Sequence, residues 1–428
     1  MEVMVFLGVL ILLFILGFSV PYAIGITSVI IIIMDKGLSS IPYEIITQRF
    51  VQGTNNFTLL AIPFFLLAGK LMNTGGITTK IFKFANELVG WIPGGLGIAN
   101  IFASIIFAGM SGSAVADAAG LGTIEIKAME DAGFDTPFSA AVTAASSTVG
   151  PVIPPSVPLI MFGVMGGTSI ASLLVAGIIP GILMGISMTI LVMFIAHRRN
   201  YPRNNKVDIG RTWASFKEAF WPLLTPVILI GGMLSGIFTP TEAAVVAAIY
   251  ALVLTSIFYR SLDLRGFMKI CADTVKESSM ILVIVGASSL YGYLLIKSQI
   301  PTYLMNKVFT FSQNPVVILF LINLFLLIIG CFMECNAAIM ILTPILVPMC
   351  QAVGIDSVHL GVIMVLNLMI GLLTPPIGMC LFTTARVANI TLDKMIKEVM
   401  PFYIPLVIVL LMVTYIPDLV LFLPRLVL

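Results

Sequence analysis

Long apolar runs recur along this chain, and the charged residues fall mostly between them. Such runs cover residues 3–20, 173–196, 316–330 and 402–413. They approach or reach the length of about 20 residues that a helix needs to cross a bilayer. Composition points the same way, because 59% of the 428 residues are hydrophobic, 10% are charged and the mean hydropathy is +1.12. A water-soluble surface needs more polar residues than this, so we predict an all-α polytopic membrane protein.

Two segments rich in glycine and proline interrupt this pattern, GPVIPP at 150–155 and GLLTPP at 371–376. Proline removes a backbone donor and its ring clashes with the preceding turn, and in lipid the freed backbone groups cannot turn to water. Each segment therefore predicts a helix that is broken at membrane depth. The simpler alternative is that each segment only kinks a helix.

An internal repeat relates the two breaks, which lie 221 residues apart (371 − 150). The same shift carries Gly109 onto Gly330 and Gly133 onto Gly354. Each half then has two spans, a third span, a re-entrant hairpin, a broken helix and a last span. In the first half these are predicted at 3–20, 21–34, 57–73, 93–130, 137–167 and 172–196. Because a hairpin adds no crossing, each half crosses an odd number of times, which predicts an inverted repeat of the kind found in secondary transporters.

The distribution of charges predicts the orientation in the membrane. Basic residues crowd the segments 198–217 and 260–276, so the positive-inside rule places both segments in the cytoplasm. The N-terminus then lies outside, with the first hairpin on the cytoplasmic side and the second hairpin, 314–352, on the periplasmic side. Four cations fall outside against the rule, namely Lys36, Arg49, Lys297 and Lys307. Segments 78–91 and 41–56 are predicted either as amphipathic helices on opposite membrane faces or as plain connectors.

The breaks also indicate a chemistry. Carbonyls left unpaired at a break are oxygen ligands for a hard cation such as Na⁺, whereas the N-termini of half-helices favour an anion. The repeat suggests a hairpin tip opposite each break, pairing 108–113 with 150–156 and 330–336 with 371–377. The sequence thus predicts two ion sites around one anion site. Alternatively, Ser111 and Ser113 only satisfy their own backbone.

Ionisable residues at membrane depth are further candidates for the site. Glu334 and Asp117 either bind Na⁺, help to form the substrate site, or are paired carboxylates at an aqueous rim. Arg386 either counters a substrate carboxylate or extends to the inner surface. Glu242 is expected to be an ordinary acid at a helix start. The candidate substrate-binding residues are Ser113, Asp117, Ser156, Glu334, Asn336 and Arg386.

Other functional classes receive little support from the sequence. An intramembrane hydrolase needs a nucleophile with a base, but neither His197 nor His359 lies near a hairpin tip or a break, so no catalytic residue and no enzyme is predicted. The five cysteines lack metal-ligand spacing. A net charge of +2 without a basic stripe argues against nucleic-acid binding.

Several motifs, taken in order over most of the chain, resemble the large membrane subunit of tripartite ATP-independent periplasmic (TRAP) transporters, also called the M or DctM-like subunit. They are LLAIPFFLLAGKLMNTGGI (59–77), GMSGSAVADAAGLGTI (109–124), AAVTAASSTVGPVIPPSVPLIMFGV (140–164), AGIIPG (176–181), GIFTPTEAAVVAAIYAL (236–252), ILTPILVP (341–348) and GIDSVHLGVIMVLNLMIGLLTPPIG (354–378). The resemblance implies an elevator-type, Na⁺-driven importer of organic acids in the bacterial inner membrane. It also implies two partners, a periplasmic substrate-binding protein and a separate small membrane subunit of about four helices.

Substrates in that family are mostly carboxylates, including C4-dicarboxylates, and we favour a sugar acid such as sialic acid. The alternative within transport is a stand-alone Na⁺/carboxylate symporter that needs no binding protein. The resemblance carries the family's sodium sites onto Ser111, Gly150, Ile153, Pro155, Gly330, Gly371, Thr374 and Ile377. At the second tip the chain departs from the family pattern, because Glu334, Cys335 and Asn336 stand where a small polar residue or aspartate is common.

An elevator divides the chain into a fixed scaffold and moving transport elements. The predicted parts are scaffold helices of the first repeat (1–92), its transport elements with the cytoplasmic-side hairpin (93–171), the last span of that repeat with the basic loop and the second scaffold (172–313), transport elements of the second repeat with the periplasmic-side hairpin (314–390), and a last scaffold helix (391–428).

Overall fold

The computed structural model describes residues 2–37, 41–73, 76–202 and 208–427. These residues are nearly all helical, and no strand occurs among them. The helices are α1 (Glu2–Ile15), α2 (Val20–Lys36), α3 (Tyr43–Thr54), α4 (Ala61–Met72), α5 (Ile77–Val89), α6 (Gly95–Ser111), α7 (Ala114–Ala119), α8 (Leu121–Asp131), α9 (Thr136–Ser147), α10 (Val157–Gly166), α11 (Ile170–Ala176), α12 (Ile178–Arg199), α13 (Ile209–Leu234), α14 (Pro240–Val253), α15 (Leu264–Lys297), α16 (Ile300–Phe311), α17 (Pro315–Phe332), α18 (Cys335–Ala352), α19 (Ser357–Gly371), α20 (Met379–Val387), α21 (Leu392–Tyr415) and α22 (Asp418–Val427). A 3₁₀ turn, Phe57–Leu60, precedes α4, and a π-helical turn, Leu254–Phe258, follows α14.

The helix lengths confirm the all-α polytopic prediction. Within the described residues, seven helical segments are long and apolar enough to cross a membrane, or up to eight if the bent pair α3 and Phe57–Met72 forms one span. That pair bends by 54°, so segment 41–56 is a helix that continues at an angle into the next one. The predicted amphipathic segment 78–91 is helical as α5, and its buried residues Ile77, Ile81 and Ala85 fall on one face.

The helix bounds recur at the shift that was read from the glycines. Shifting α18 back by 221 residues gives 114–131, the combined bounds of α7 and α8. The same shift carries the start of α9 at Thr136 onto the start of α19 at Ser357. Helices α6, α7 and α8 form the first hairpin, and α17 and α18 form the second hairpin, close to the predicted 93–130 and 314–352. The inverted orientation of the two halves stays a prediction.

The basic segment is shorter as a loop than the sequence suggests. Helix α13 begins at Ile209, whereas the predicted span began near residue 222, so Arg211 and Lys217 lie on a helix. The side chain of Asp208 explains this start, because it accepts hydrogen bonds from the backbone N–H groups of Gly210 and Arg211. Arg203 and Lys206, which belong to the same segment, lie outside the described residues.

Packing divides most helices into two groups. In the scaffold group, α15 packs on α2, α3 and α4, and α14 packs on α4 and α13. In the core group, the two hairpins pack with the broken helices, α17 on α19, α18 on α10 and α6 on α9. Helices α12 and α21 pack on each other and on α6, α9 and α19. This differs from the sequence-based boundaries, which placed 391–428 with the scaffold and ended the transport elements of the first repeat at residue 171.

Candidate functional site

The first break covers residues 148–156, between the end of α9 and the start of α10. Ser156 caps α10, because its hydroxyl accepts a hydrogen bond from the N–H of Leu159 at 3.2 Å. The same hydroxyl donates to the carbonyl of Pro151. Ser156 is fully buried, so its side chain shapes the break from within. Its predicted contact with substrate stays a prediction.

The first hairpin reaches this break through Gly112, which joins α6 to α7. Gly112 has a φ of +61°, a left-handed conformation that favours glycine. A Cβ atom at this position would lie 2.5 Å from the carbonyl oxygen of Pro155, so only glycine permits the approach. Ser113 follows as the N-cap of α7 and accepts from the N–H of Ala116 at 3.4 Å. Tip and break therefore meet, as the sequence predicted, whereas the side chain of Ser111 lies outside the described part of the structure.

Two buried carboxyl groups lie behind the first tip. Asp117 on α7 is 2% exposed, and a Cβ atom on Gly150 would lie 2.7 Å from its Oδ2, so the carboxyl group lies against the break. Glu125 on α8 is 1% exposed and close enough to Asp117 for an electrostatic interaction. Among the described residues, Oε1 of Glu125 has no hydrogen-bond partner. Sequence reasoning missed Glu125, because Lys127 and Glu130 nearby give its helix the pattern of a solvated face.

The second hairpin places its carboxyl group at the tip itself. Glu334 is the N-cap of α18, and its Oε2 accepts from the N–H of Ala337 at 3.1 Å. Its Oε1 accepts from Nδ2 of Asn336 at 2.8 Å. A negative charge at a helix N-terminus is favoured by the helix dipole, so this tip holds its carboxylate by local structure. Oδ1 of Asn336 is buried and has no partner among the described residues.

The second break covers residues 372–378, between α19 and α20, and the second hairpin contacts it directly. A Cβ atom on Gly371 would lie 2.5 Å from Cα of Gly330, so the two backbones touch. The N–H of Ile377 donates to the carbonyl of Cys331 at 3.3 Å. The hydroxyl of Thr374 donates to the carbonyl of Ile370 at 2.9 Å. These contacts bring the second tip and the second break together, like the first pair.

Buried polar side chains tie each hairpin to its broken helix. In the first half, Nδ2 of Asn100 donates to Oγ1 of Thr143 at 2.7 Å, and the hydroxyl of Ser146 donates to Oδ1 of Asn100 at 2.7 Å. In the second half, Nδ2 of Asn367 donates to Oδ1 of Asn323 at 2.7 Å. Ser146 and Asn367 are 221 residues apart, so equivalent positions make equivalent connections (367 − 146).

Both tips and both breaks line one cavity of about 920 Å³. Of the predicted site residues, Ser113, Glu334, Asn336 and Ile377 line it. Asp117 and Ser156 are buried but are not part of the lining, and Arg386 is exposed near the end of α20. The walls are mostly apolar, and the volume suits one small organic molecule.

Helices α1, α2 and α15 of the scaffold group complete the cavity. Glu277 is the acidic residue that α15 contributes, and its carboxylate lies 2.8 Å from Nζ of Lys70 on α4. Among the described residues, Glu277 and Glu334 are the acidic side chains of the lining, and no lysine or arginine belongs to it. Sequence reasoning missed Glu277, because it follows Lys276 in a segment that was assigned only to the basic cytoplasmic surface.

Comparison with known proteins follows from this geometry. The family model described as "Tripartite ATP-independent periplasmic transporter, DctM component" matches residues 7–419. The sialic acid TRAP transporter large permease protein SiaM of Vibrio cholerae is 46% identical over 379 residues, 89% of each chain. The C4-dicarboxylate TRAP transporter large permease protein DctM of Pseudomonas aeruginosa is 36% identical over 377 residues, 88% of each chain.

A solved structure supports the fold. The YdaH transporter of Alcanivorax borkumensis superposes with a TM-score of 0.64 over 87% of each chain. Its sequence identity is 15%, so this likeness concerns the fold alone.

Proposed function

The chain belongs to the DctM family, the large permease component of TRAP transporters, and from this we propose that it imports an organic acid in symport with Na⁺. It is a multi-pass protein of the bacterial inner membrane. The observation that carries the proposal is the single cavity in which both hairpin tips and both breaks meet. Such a convergence of discontinuous helices is the usual place of substrate and ion sites in secondary transporters.

The backbone around the first break fits Na⁺. Among the described residues, no backbone N–H donates to the carbonyls of Gly150, Ile153 or Pro155. Carbonyl and hydroxyl oxygens suit a hard cation, and no cluster of three or more histidine, cysteine or acidic side chains that could hold another metal occurs among the described residues. We assign the first Na⁺ to these carbonyls with Ser111.

The second Na⁺ is assigned to Gly330, Gly371, Thr374 and Ile377. Among the described residues, the carbonyls of Thr374 and Ile377 accept no backbone hydrogen bond, whereas that of Gly371 accepts one from Thr374 at 2.9 Å. A carbonyl oxygen has two lone pairs, so Gly371 retains one for a cation. Glu334 at the neighbouring tip adds negative charge. One charge moving through 100 mV supplies about 2.3 kcal/mol, so two Na⁺ ions support steep accumulation of an acid.

The transport step is proposed as an elevator. The hairpins and broken helices move together across the scaffold group of α1–α4 and α13–α15. We include α12 and α21 in the moving unit because they pack on α6, α9 and α19. In the predicted orientation, the cavity lies against the cytoplasmic part of α15, near Lys276 and Glu277, so the described conformation faces inward.

The substrate is proposed to be sialic acid or a related sugar acid, with C4-dicarboxylates as the alternative. The relative named for sialic acid is 46% identical, against 36% for the relative named for C4-dicarboxylates. The family is tripartite, which implies a periplasmic binding protein and a small membrane subunit. We propose that the small subunit has about four helices and braces the scaffold.

Uptake into proteoliposomes tests the proposal. The purified chain is reconstituted with its small subunit, and uptake of labelled sialic acid and succinate is measured with and without binding protein and an inward Na⁺ gradient. We expect uptake of sialic acid that requires both. Uptake without the binding protein would indicate the stand-alone symporter, and uptake indifferent to Na⁺ would contradict the ion assignments.

A further inference from the structure

The scaffold wall of the cavity carries a partly open ion pair. Glu277 lines the cavity with 52% of its side chain exposed, whereas Lys70 behind it is 24% exposed. Their charged atoms are 2.8 Å apart. Leu66, one helical turn before Lys70, and Met280, one turn after Glu277, also line the cavity. The pair therefore belongs to the wall of the cavity rather than to the outer surface.

An anionic substrate meets an electrostatic difficulty in this cavity. The acidic side chains of its described lining are Glu277 and Glu334, and repulsion between like charges disfavours binding of a carboxylate. The charge of Glu334 is offset by the N-terminus of α18, where Ala337 donates to it. The charge of Glu277 is offset by Lys70, the cation that forms an ion pair with a lining residue.

We propose that Lys70 is an anion-binding residue of the cavity, which exchanges Glu277 for the carboxylate of the transported acid. The inference rests on the proposed function, because it takes the transported acid as its ligand. Lys70 and Glu277 belong to α4 and α15, which pack on each other in the scaffold group. In an elevator both would remain fixed while the hairpin tips move. Lys70 would thus attract the carboxylate at one end of the movement, and Glu277 would take Lys70 back when the acid leaves.

Opposite effects of two substitutions distinguish this role from a structural ion pair. In Lys70→Gln the cavity loses its compensating cation, so we expect the Kd for sialic acid to rise roughly 3- to 10-fold, as for one partly exposed charge. In Glu277→Gln the lysine faces the cavity without a competitor, so the Kd is expected to stay unchanged or to fall. A purely structural pair predicts that both substitutions weaken binding alike.

The measurement is equilibrium binding of labelled sialic acid to the purified complex with the small subunit, at constant saturating Na⁺. Ionic strength is varied with choline chloride, and Lys70→Gln is expected to reduce the salt dependence of the Kd. Lys83→Gln is the matched control, because Lys83 pairs with Glu218 at 3.1 Å and lines no part of the cavity. Lys70→Arg keeps the charge and is expected to retain binding, which separates loss of charge from misfolding.

Two results would overturn the inference. Equal weakening by Lys70→Gln and Glu277→Gln, or an unchanged salt dependence in Lys70→Gln, would make the pair structural. A wild-type complex that binds neither sialic acid nor succinate would overturn the proposed function, and with it the ligand assigned to Lys70. The first results leave Na⁺-dependent uptake by the wild-type complex intact, so the two failures are distinguishable.

Discussion

The two hairpin-and-break units share a backbone design but place their charges differently. In both, a hairpin tip touches a break, and a buried polar residue, Ser146 or Asn367, ties the broken helix to the hairpin. In the first unit the acid is Asp117, which is buried against the break and outside the cavity lining. In the second unit the acid is Glu334, which caps the tip helix and lines the cavity. Backbone geometry can therefore repeat while the electrostatic character of the two sites differs.

The largest effect is expected where the shared design depends on backbone contact. Gly112→Ala and Gly371→Ala each place a Cβ atom 2.5 Å from backbone of the opposing element. We expect both to destabilise the protein by about 1–3 kcal/mol and to abolish Na⁺-dependent uptake, because the tips can no longer reach the breaks. Uptake into proteoliposomes and thermal unfolding in detergent measure the two effects.

Gly25→Ala is the control for these variants, since a Cβ atom there meets no heavy atom within 4 Å. It is expected to keep wild-type uptake. If Gly371→Ala transports normally while Gly112→Ala does not, only the first tip requires close contact, and the two units are not equivalent in mechanism.

A smaller effect is expected from neutralising the two acids. Glu334→Gln and Asp117→Asn should each lower the apparent affinity for Na⁺ by about tenfold, the equivalent of about 1.4 kcal/mol. Only Glu334→Gln should also change the half-saturating concentration of the acid, because Glu334 lines the cavity and Asp117 does not. The measurement is uptake as a function of Na⁺ at several substrate concentrations. A change in half-saturating substrate with Asp117→Asn as well would place Asp117 in the substrate site.

Much of this architecture was predictable from the sequence, because glycine and proline positions report directly on backbone geometry. The breaks at 150–155 and 371–376 and the 221-residue shift located both hairpins to within a few residues. Burial of single charged residues was not predictable in the same way. Glu125 has the sequence context of a solvated helix face, and its burial depends on which neighbours the fold brings to it. The grouping of α12 and α21 with the core group likewise depends on long-range packing, which apolar periodicity does not encode.

The polar connections between hairpin and broken helix allow a comparison based on stability. Asn367→Ala removes the partner of Asn323 and leaves a gap in a fully buried site. We expect a loss of about 2–3 kcal/mol, since an unsatisfied buried group and a cavity add. Ser146→Ala removes a smaller side chain and is expected to cost about 1 kcal/mol. Thermal unfolding of both variants in detergent provides the ranking, and a larger loss for Ser146→Ala would show that the first unit depends more on its polar connection.

The smallest effect is expected at Asp135 and Asp356, which occupy equivalent positions before α9 and α19. Asp356 caps its helix, accepting from the N–H of Val358 at 2.7 Å. The carboxylate of Asp135 instead accepts from the hydroxyl of Tyr201 at 2.5 Å and lies 3.7 Å from Arg199. Asp356→Ala should cost about 1 kcal/mol through the lost cap, and Asp135→Asn less, because its ion pair is exposed.

The pH dependence of stability distinguishes the two positions. Burial, and secondly the hydrogen bond to Asp135, raise the pKa of Tyr201 to about 12 from an ordinary value of 10.0. Because the folded state holds this proton more tightly, the contribution of Tyr201 is complete below pH 10 and is lost as pH rises toward 12. Thermal unfolding of Tyr201→Phe should therefore differ from wild type by a constant amount between pH 7 and pH 9, and the difference should shrink above pH 10. A difference that already changes between pH 7 and pH 9 would mean that another group titrates in this contact, and that the two units differ in more than the partner of one aspartate.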